Sequence, residues 1–213
     1  MRKRGSQSEF INQHFRNDMK MYLGLAKVGI STLGQLFKYC GVNRVRARRH
    51  ENSDYIKIRK IWVLGYVREV VILTEKGKNF CRVELGIKSF PLHNITHVSH
   101  DIGQAEGFYQ FSQEQQKNYI HESAILTEHL EIERKTCIDG MVLMQLDQLW
   151  VMRENLINIQ LLVKESCIDN LPGETIVMIA VETIGRSYSS KMIYAKMETA
   201  AQLKCTAIMK ITY

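Results

Sequence analysis

The chain has 213 residues, 45% of them hydrophobic and 24% charged, with two prolines and thirteen glycines, a profile that excludes a disordered or fibrous protein. At roughly 100 to 200 residues per domain, that length allows one large domain or two small ones, and two are expected. The longest apolar runs, 61–67 and 176–181, are far shorter than the roughly 20 residues that cross a bilayer. The start, Met1-Arg-Lys-Arg, is followed by polar residues 9–20 rather than by the apolar core of a secretory signal, so a cytoplasmic location without membrane attachment is expected. Five cysteines, an odd number without any CxxC pair, argue against a disulfide framework or a structural zinc site, and most of them read as buried small hydrophobes. The net charge of +7 is unevenly spread: residues 1–90 hold 19 Lys and Arg against 7 Asp and Glu, and residues 91–213 hold 10 against 15. A basic first part suggests a module for a polyanion, because neutralised phosphates release counterions.

Apolar residues from Phe10 to Val28 fall at helical spacing up to Gly29. Ser31 or Thr32 caps a second helix whose apolar face is Leu33, Leu36, Phe37 and Cys40, with Gly41 as its terminator. Asn43 caps a third segment that carries Arg44, Arg46, Arg48, Arg49 and His50 and is polar almost all round. A further helix is expected over 55–64, burying Ile56, Ile58, Ile61 and Trp62. A strand rich in β-branched residues (Val67, Val70, Val71, Ile72) then runs into Leu73-Thr-Glu-Lys-Gly, where Thr74 caps a new helix with Gly77 in its first turn.

The segment Gly65-Tyr-Val…Leu73-Thr-Glu-Lys-Gly, behind helices of this number and length, resembles the winged-helix family over about residues 18–85. The resemblance implies binding of double-stranded DNA: the helix of Arg44, Arg46, Arg48 and Arg49, or the following one, enters the major groove, and Lys57, Arg59, Lys60 and Arg68 lie on flanking phosphates. Winged helices also serve as protein-protein modules, and an Arg run is also an ordinary solvated face.

Pro91 lies in a stretch without clear period, which places a domain boundary there, giving domains 1–90 and 91–213. Ile102, Ala105, Phe108 and Tyr109 mark a helix entered from Thr96 or Ser99. His93, His97 and His100 share one side if the backbone there is helical, but no H-E-x-x-H motif accompanies them. A second helical stretch near 113–129 is followed by expected strands at 130–137, 141–146, 156–163 and 175–181, a helix over 189–203 burying Met192, Ile193, Met197, Ala200 and Leu203, and a last strand at 207–212. Helices packed on a mixed sheet are the natural solution, and the fold class is α+β.

Asp139 and Glu182 each close an apolar strand. A carboxylate in a buried strand needs a partner or a metal. Two such groups at strand ends suit one hard divalent cation, Mg²⁺ or Mn²⁺, which activates water and neutralises charge on a scissile phosphate. Lys191, early in the next helix, is the candidate lysine of the site. The structural alternatives are a turn at Asp139-Gly140 and a salt bridge of Glu182, with Arg186 as one partner. Tyr109, Tyr119 and Tyr188 are candidate nucleophiles, each better explained by packing.

His100-Asp101, Ile138-Asp139-Gly140 and Glu182-Thr-Ile-Gly-Arg-Ser-Tyr-Ser-Ser-Lys191, in that order, resemble the restriction-endonuclease-like PD-(D/E)xK domain. With the winged helix in front, the chain is similar to the replication-relaxation family and to plasmid mobilisation relaxases on that nuclease fold. The resemblance implies that Asp139 and Glu182 ligate the metal, that Lys191 orients water or stabilises the phosphorane, that Asp101 or Glu106 supports the site, and that the protein nicks one strand at a transfer or replication origin. Other transfer or replication proteins would be partners, and a homodimer is open. Two departures stand out. The Lys expected two residues after Glu182 is missing, and 43 positions separate Asp139 from Glu182, so either an extra strand pair intervenes or Asp169 is the partner. The rivals are a DNA-binding regulator or accessory protein without catalysis, and a regulator whose second domain senses a ligand in an enclosed apolar pocket.

Overall fold

The computed structural model describes residues 7–63, 65–92, 98–155, 158–185 and 188–212. It is a mixed α+β structure with two sheets, and the chain divides into two compact units, Met1–Lys88 and Ser89–Tyr213. No helix among the described residues is long and apolar enough to cross a membrane. Cys40, Cys81, Cys137 and Cys205 are buried thiols and Cys167 is exposed.

In the first unit, α1 (Gln7–Val28) ends at Gly29, whose φ of 78° lies in the left-handed region that glycine adopts without strain. The short strand β1 (Ile30–Thr32) follows, and Thr32 opens α2 (Leu33–Gln35) through a reciprocal capping box with Gln35. α2 runs into one π turn (Leu36–Cys40) closed by Gly41. Asn43 accepts a hydrogen bond from the Arg46 amide at 2.9 Å and so starts α3 (Arg44–Asn52). β2 (Ile56–Val63) and β3 (Tyr66–Leu73) form an antiparallel hairpin, and Thr74 caps α4 (Glu75–Leu85). The sheet order is β1-β3-β2. Met21, Leu25, Leu36, Val42, Ala47, Ile56 and Val71 form the core. Gly77 is required by packing, since a Cβ there would lie 2.0 Å from the Tyr55 carbonyl oxygen.

The helix expected over 55–64 is instead the strand β2. Ile56 and Ile58 turn toward the core and Lys57 and Arg59 toward solvent, a period of two that is compatible with strand, and pairing with β3 along its whole length decides the conformation.

The second unit contains α5 (Val98–Phe108), α6 (Gln113–Asn118), β4 (Ile120–His121), α7 (Glu122–Glu128), β5 (Gly140–Gln145), α8 (Leu146–Asn155), β6 (Asn158–Leu161), α9 (Glu165–Ile168), β7 (Ile176–Ile184), α10 (Ser190–Gln202) and β8 (Ala207–Thr212). The sheet order is β4-β5-β7-β8-β6, antiparallel except for the parallel pair β7-β8, whose crossover is α10. Ile125, Ile138, Met141, Ala180, Ala200 and Ile208 form the core on one side of the sheet. The helical stretch expected near 113–129 is two helices separated by the two-residue strand β4. The strand expected at 130–137 is a series of turns, because its apolar residues are too few to fill a sheet face; Ile132 and Cys137 alone reach the core while Leu130 is 87% exposed. The strand expected at 156–163 runs over Asn158–Leu161 and stops in a bend at Leu162 and Val163, while residues 156 and 157 lie outside the described residues.

Candidate functional site

β5 and β7 pair antiparallel with Gly140 opposite Val181. Continuing that register by one step sets Asp139 opposite Glu182 on the same face, which is why two acids far apart in sequence meet. Their side chains finish the ladder where the backbone pairing stops: the Thr183 amide donates to Asp139 Oδ2 at 2.6 Å, and the Asp139 amide donates to Glu182 Oε2 at 3.3 Å. Asp139 immediately precedes β5 and Glu182 lies inside β7, so neither ends its strand as expected. β6 leaves this pairing undisturbed by lying at the far edge of the sheet, beyond β8. Asp169 caps the end of α9 and is exposed, away from the role of partner.

The lysine of the cluster is Lys196, not Lys191. Lys191 is exposed in the first turn of α10. Lys196 is buried, with Nζ 2.7 Å from Glu182 Oε1 and 3.7 Å from Asp139 Oδ1, and it donates to the Cys137 carbonyl at 2.8 Å. Its position was legible from phase: it stands three residues after Ile193 and four before Ala200, on the apolar stripe of the helix. Met192, expected in that stripe, is 40% exposed.

α5 supplies a second cation. His100 Nε2 lies 3.0 Å from Asp139 Oδ2, and its Nδ1 lies 3.5 Å from Asp101 Oδ1, so Asp101 reaches the cluster through the imidazole. Tyr188 donates to Glu182 Oε1 at 2.6 Å. Gln104, also on α5, donates to the Asp139 carbonyl at 3.0 Å and to the Tyr119 hydroxyl at 2.9 Å. Gly140 belongs to this arrangement through packing and not as a turn, since a Cβ would lie 2.2 Å from the Tyr119 hydroxyl. Glu106 is half-buried on the same helix. His93, His97, Thr96 and Arg186 lie outside the described residues.

The electrostatics follow from burial and pairing. Burial opposes ionisation of Asp139, but His100, Lys196 and the Thr183 amide outweigh it and hold the carboxyl below its ordinary range. Burial also opposes the imidazolium of His100, yet Asp101 and Asp139 carry it up to about 10. For Glu182, burial and the neighbouring Asp139 outweigh Lys196 and Tyr188 and push it up to about 8. Lys196 is held above its ordinary value because Glu182 and Asp139 overcome its desolvation. Half-buried Glu122, at the start of α7, is raised by burial and then by Asp139, which makes it a fourth acid, beside Asp139, Glu182 and Asp101, whose charge is felt here. No group of three or more potential metal ligands occurs among the described residues. The two-carboxylate set is of the hard-oxygen kind that a divalent ion completes with water and substrate oxygens.

The basic residues of the first unit fall into two sets. Arg46 is turned inward: its Nε donates to Asp18 Oδ1 at 2.6 Å and its Nη2 to Oδ2, while His50 Nε2 lies 3.1 Å from Asp18 Oδ1. It pins α3 to α1 and is not available to a phosphate in this arrangement. Arg44 and Arg48 are exposed, and Glu69 of β3 meets both, at 2.7 and 3.7 Å; Arg48 also meets Glu51 at 2.5 Å. Arg49, Lys57, Arg59, Lys60 and Arg68 are exposed.

No family model, curated protein or solved structure matches this chain. Function therefore rests on the residues themselves.

Proposed function

We propose that the chain is a DNA-processing protein of the relaxase type, in which a winged-helix unit selects a duplex site and a restriction-endonuclease-like unit nicks one strand with a divalent metal ion. The carrying observation is the convergence of Asp139, Glu182 and buried Lys196 on one end of the β5-β7 pair, with α5 before it and the α10-β8 crossover after it. In the first unit, the order helix, strand, two helices, hairpin, helix and the exposed Arg44, Arg48 and Arg49 on a capped α3 support the winged-helix reading.

Asp139 and Glu182 would hold Mg²⁺ or Mn²⁺, which supplies charge neutralisation and an activated water when bound. The residues' own parts follow from their contacts. His100 keeps Asp139 ionised. Lys196 brings a positive charge to the place where negative charge grows on a phosphate under attack. Tyr188 fixes the Glu182 carboxylate through its hydroxyl. The missing Lys two residues after Glu182 is then supplied from α10, with Lys196 in the place that the resemblance implied for Lys191. The test is conversion of supercoiled plasmid carrying candidate origins to open circles. Nicking that requires Mg²⁺ or Mn²⁺ and disappears in E182Q supports the reading; nicking that is independent of metal or unchanged in E182Q removes it.

One observation favours the rival, a non-enzymatic DNA-binding regulator or accessory protein. Asp139 and Glu182 are 6% and 2% exposed, and Lys196 and His100 already neutralise them, so the cluster also serves as a buried ion network that specifies the fold. On that reading the wild-type chain takes up no divalent ion while it still binds duplex.

A further inference from the structure

The β2-β3 hairpin ends in a pair of uncovered aromatic side chains. Trp62 is 71% exposed, Tyr66 68% and Val67 56%. Single exposed apolar residues are ordinary, but an uncovered indole with an uncovered Val67 directly opposite it, and a phenol uncovered on the other face of the same tip, ask for a ligand. Pairing places them: Trp62 is opposite Val67 and Val63 is opposite Tyr66, so Trp62 with Val67 occupies one face and Tyr66 the other. Cations stand behind both. Lys60 is two residues from Trp62 on its face, and Arg68 is two residues from Tyr66 on its face, with Arg59 one step further back opposite Val70. The acid nearest the tip, Glu69, is already met by Arg44 and Arg48.

We propose that this tip binds unpaired DNA, with Trp62 stacking on an exposed base, Lys60 on the same face holding the adjacent phosphate, and Arg68 and Arg59 holding phosphates where the strand passes Tyr66 on the other face. The inference rests on the DNA-binding reading and names a second substrate form for it. The chemistry selects among ligands. A cationic rim wants a polyanion, and flat apolar side chains want flat apolar faces; single-stranded nucleic acid carries both in alternation. In an intact duplex the base faces are stacked on one another, so the duplex offers the phosphates without the faces. An acidic protein offers the charge without a regular series of aromatic planes.

The full chain carrying W150F leaves Trp62 as its sole tryptophan, and its emission reports the tip directly. In EDTA, so that no strand is cut, it is titrated with an oligo-dT of about 16 nucleotides, with an abasic strand of equal length, and with a duplex of equal length. Saturable quenching by oligo-dT, and much less by the abasic strand and the duplex, is expected. In parallel, W62A should weaken oligo-dT binding by about 5- to 150-fold while leaving duplex affinity within about threefold, and W62F should recover part of the loss. Equal quenching by all three probes, or unchanged oligo-dT affinity in W62A, overturns the stacking role while DNA binding stands. Absence of binding to any DNA overturns it together with the DNA-binding reading. Since Trp62 is exposed, its variants should melt with the wild type, which separates a binding loss from a folding loss.

Discussion

Replacing Lys196 by Met tests the buried cluster most sharply, because the methionine keeps the length of the stem and removes only the ammonium. The change deletes the 2.7 Å and 3.7 Å contacts to Glu182 and Asp139 and the hydrogen bond to the Cys137 carbonyl. Breaking a buried pair costs about 3–5 kcal/mol when it leaves the partner charged, and Lys196 is too deeply buried for solvent to reduce that figure. Glu182 has an escape, however. Its pKa is already pushed up to about 8, and without Lys196 it rises further. At pH 6 the variant therefore protonates Glu182 and loses about 1–2 kcal/mol, the worth of its hydrogen bonds. As pH rises past 8, the folded variant holds a proton that the folded wild type has released, so the variant loses relative stability by up to about 1.4 kcal/mol per pH unit. At pH 9 the penalty is therefore expected to reach about 2–3 kcal/mol, and the full value of about 3–5 kcal/mol is approached only at higher pH. Urea denaturation of W62F protein, in which Trp150 of α8 reports the second unit, measures both values. In K196M/E182Q the charge is gone, so the penalty becomes independent of pH and smaller than that of K196M at pH 9. A K196M penalty that is flat from pH 6 to 9, or strictly additive with that of E182Q, refutes the proposed coupling.

Other consequences concern the same cluster and the basic face. His100 is raised to about 10 from an ordinary 6.5, so its contribution is fully present below about pH 6.5 and is lost as pH rises toward 10; chemical denaturation of wild type should show this decline, of up to about 5 kcal/mol at the limit, and H100Q should flatten it. G140A drives a methyl to 2.2 Å from the Tyr119 hydroxyl and 2.8 Å from the Ile120 carbonyl oxygen, so its second unit should melt earlier by an amount equal to about 2–3 kcal/mol, and an unchanged melting curve would count against the described packing of α6, β4 and β5. E69Q frees Arg44 from its carboxylate and leaves Arg48 on its nearer partner, Glu51. On the DNA-binding reading it should tighten duplex binding, measured by fluorescence anisotropy, and steepen its salt dependence by about one in slope, with a stability change below about 1 kcal/mol; unchanged or weaker binding removes Arg44 from the interface.

Much of the architecture was legible because its signals are local. Asn43, Thr74 and Ser189 are caps with their acceptor side chains in place, and Gly29 and Gly41 stop helices through positive φ. The strand β2 was misread as a helix since Ile56, Ile58, Ile61 and Trp62 satisfy either period over so short a run, and only the partner strand settles it. The turns at 130–137 and the extra helix α8 escaped for a related reason: Leu146–Asn155 carries no sharp apolar face. In the site, Asp139 and Glu182 announced themselves as acids beside apolar strands. Lys196 did not, because a lysine inside a helix reads as solvated unless its phase on the apolar stripe is weighed. The pairing of Arg46 with Asp18 spans 28 positions, a distance over which charge patterns in sequence carry no information about contact.

The central claim is that Asp139 and Glu182 form a binding site for a divalent ion on DNA, and calorimetric titration of Mn²⁺ into the chain with a short duplex present measures it directly. One site in the wild type, lost in both D139N and E182Q while both variants still bind the duplex, is the expected result. Absence of Mn²⁺ binding in the wild type, or binding that survives in both variants, would contradict the metal centre and leave Asp139, Glu182, Lys196 and His100 as a structural ion network.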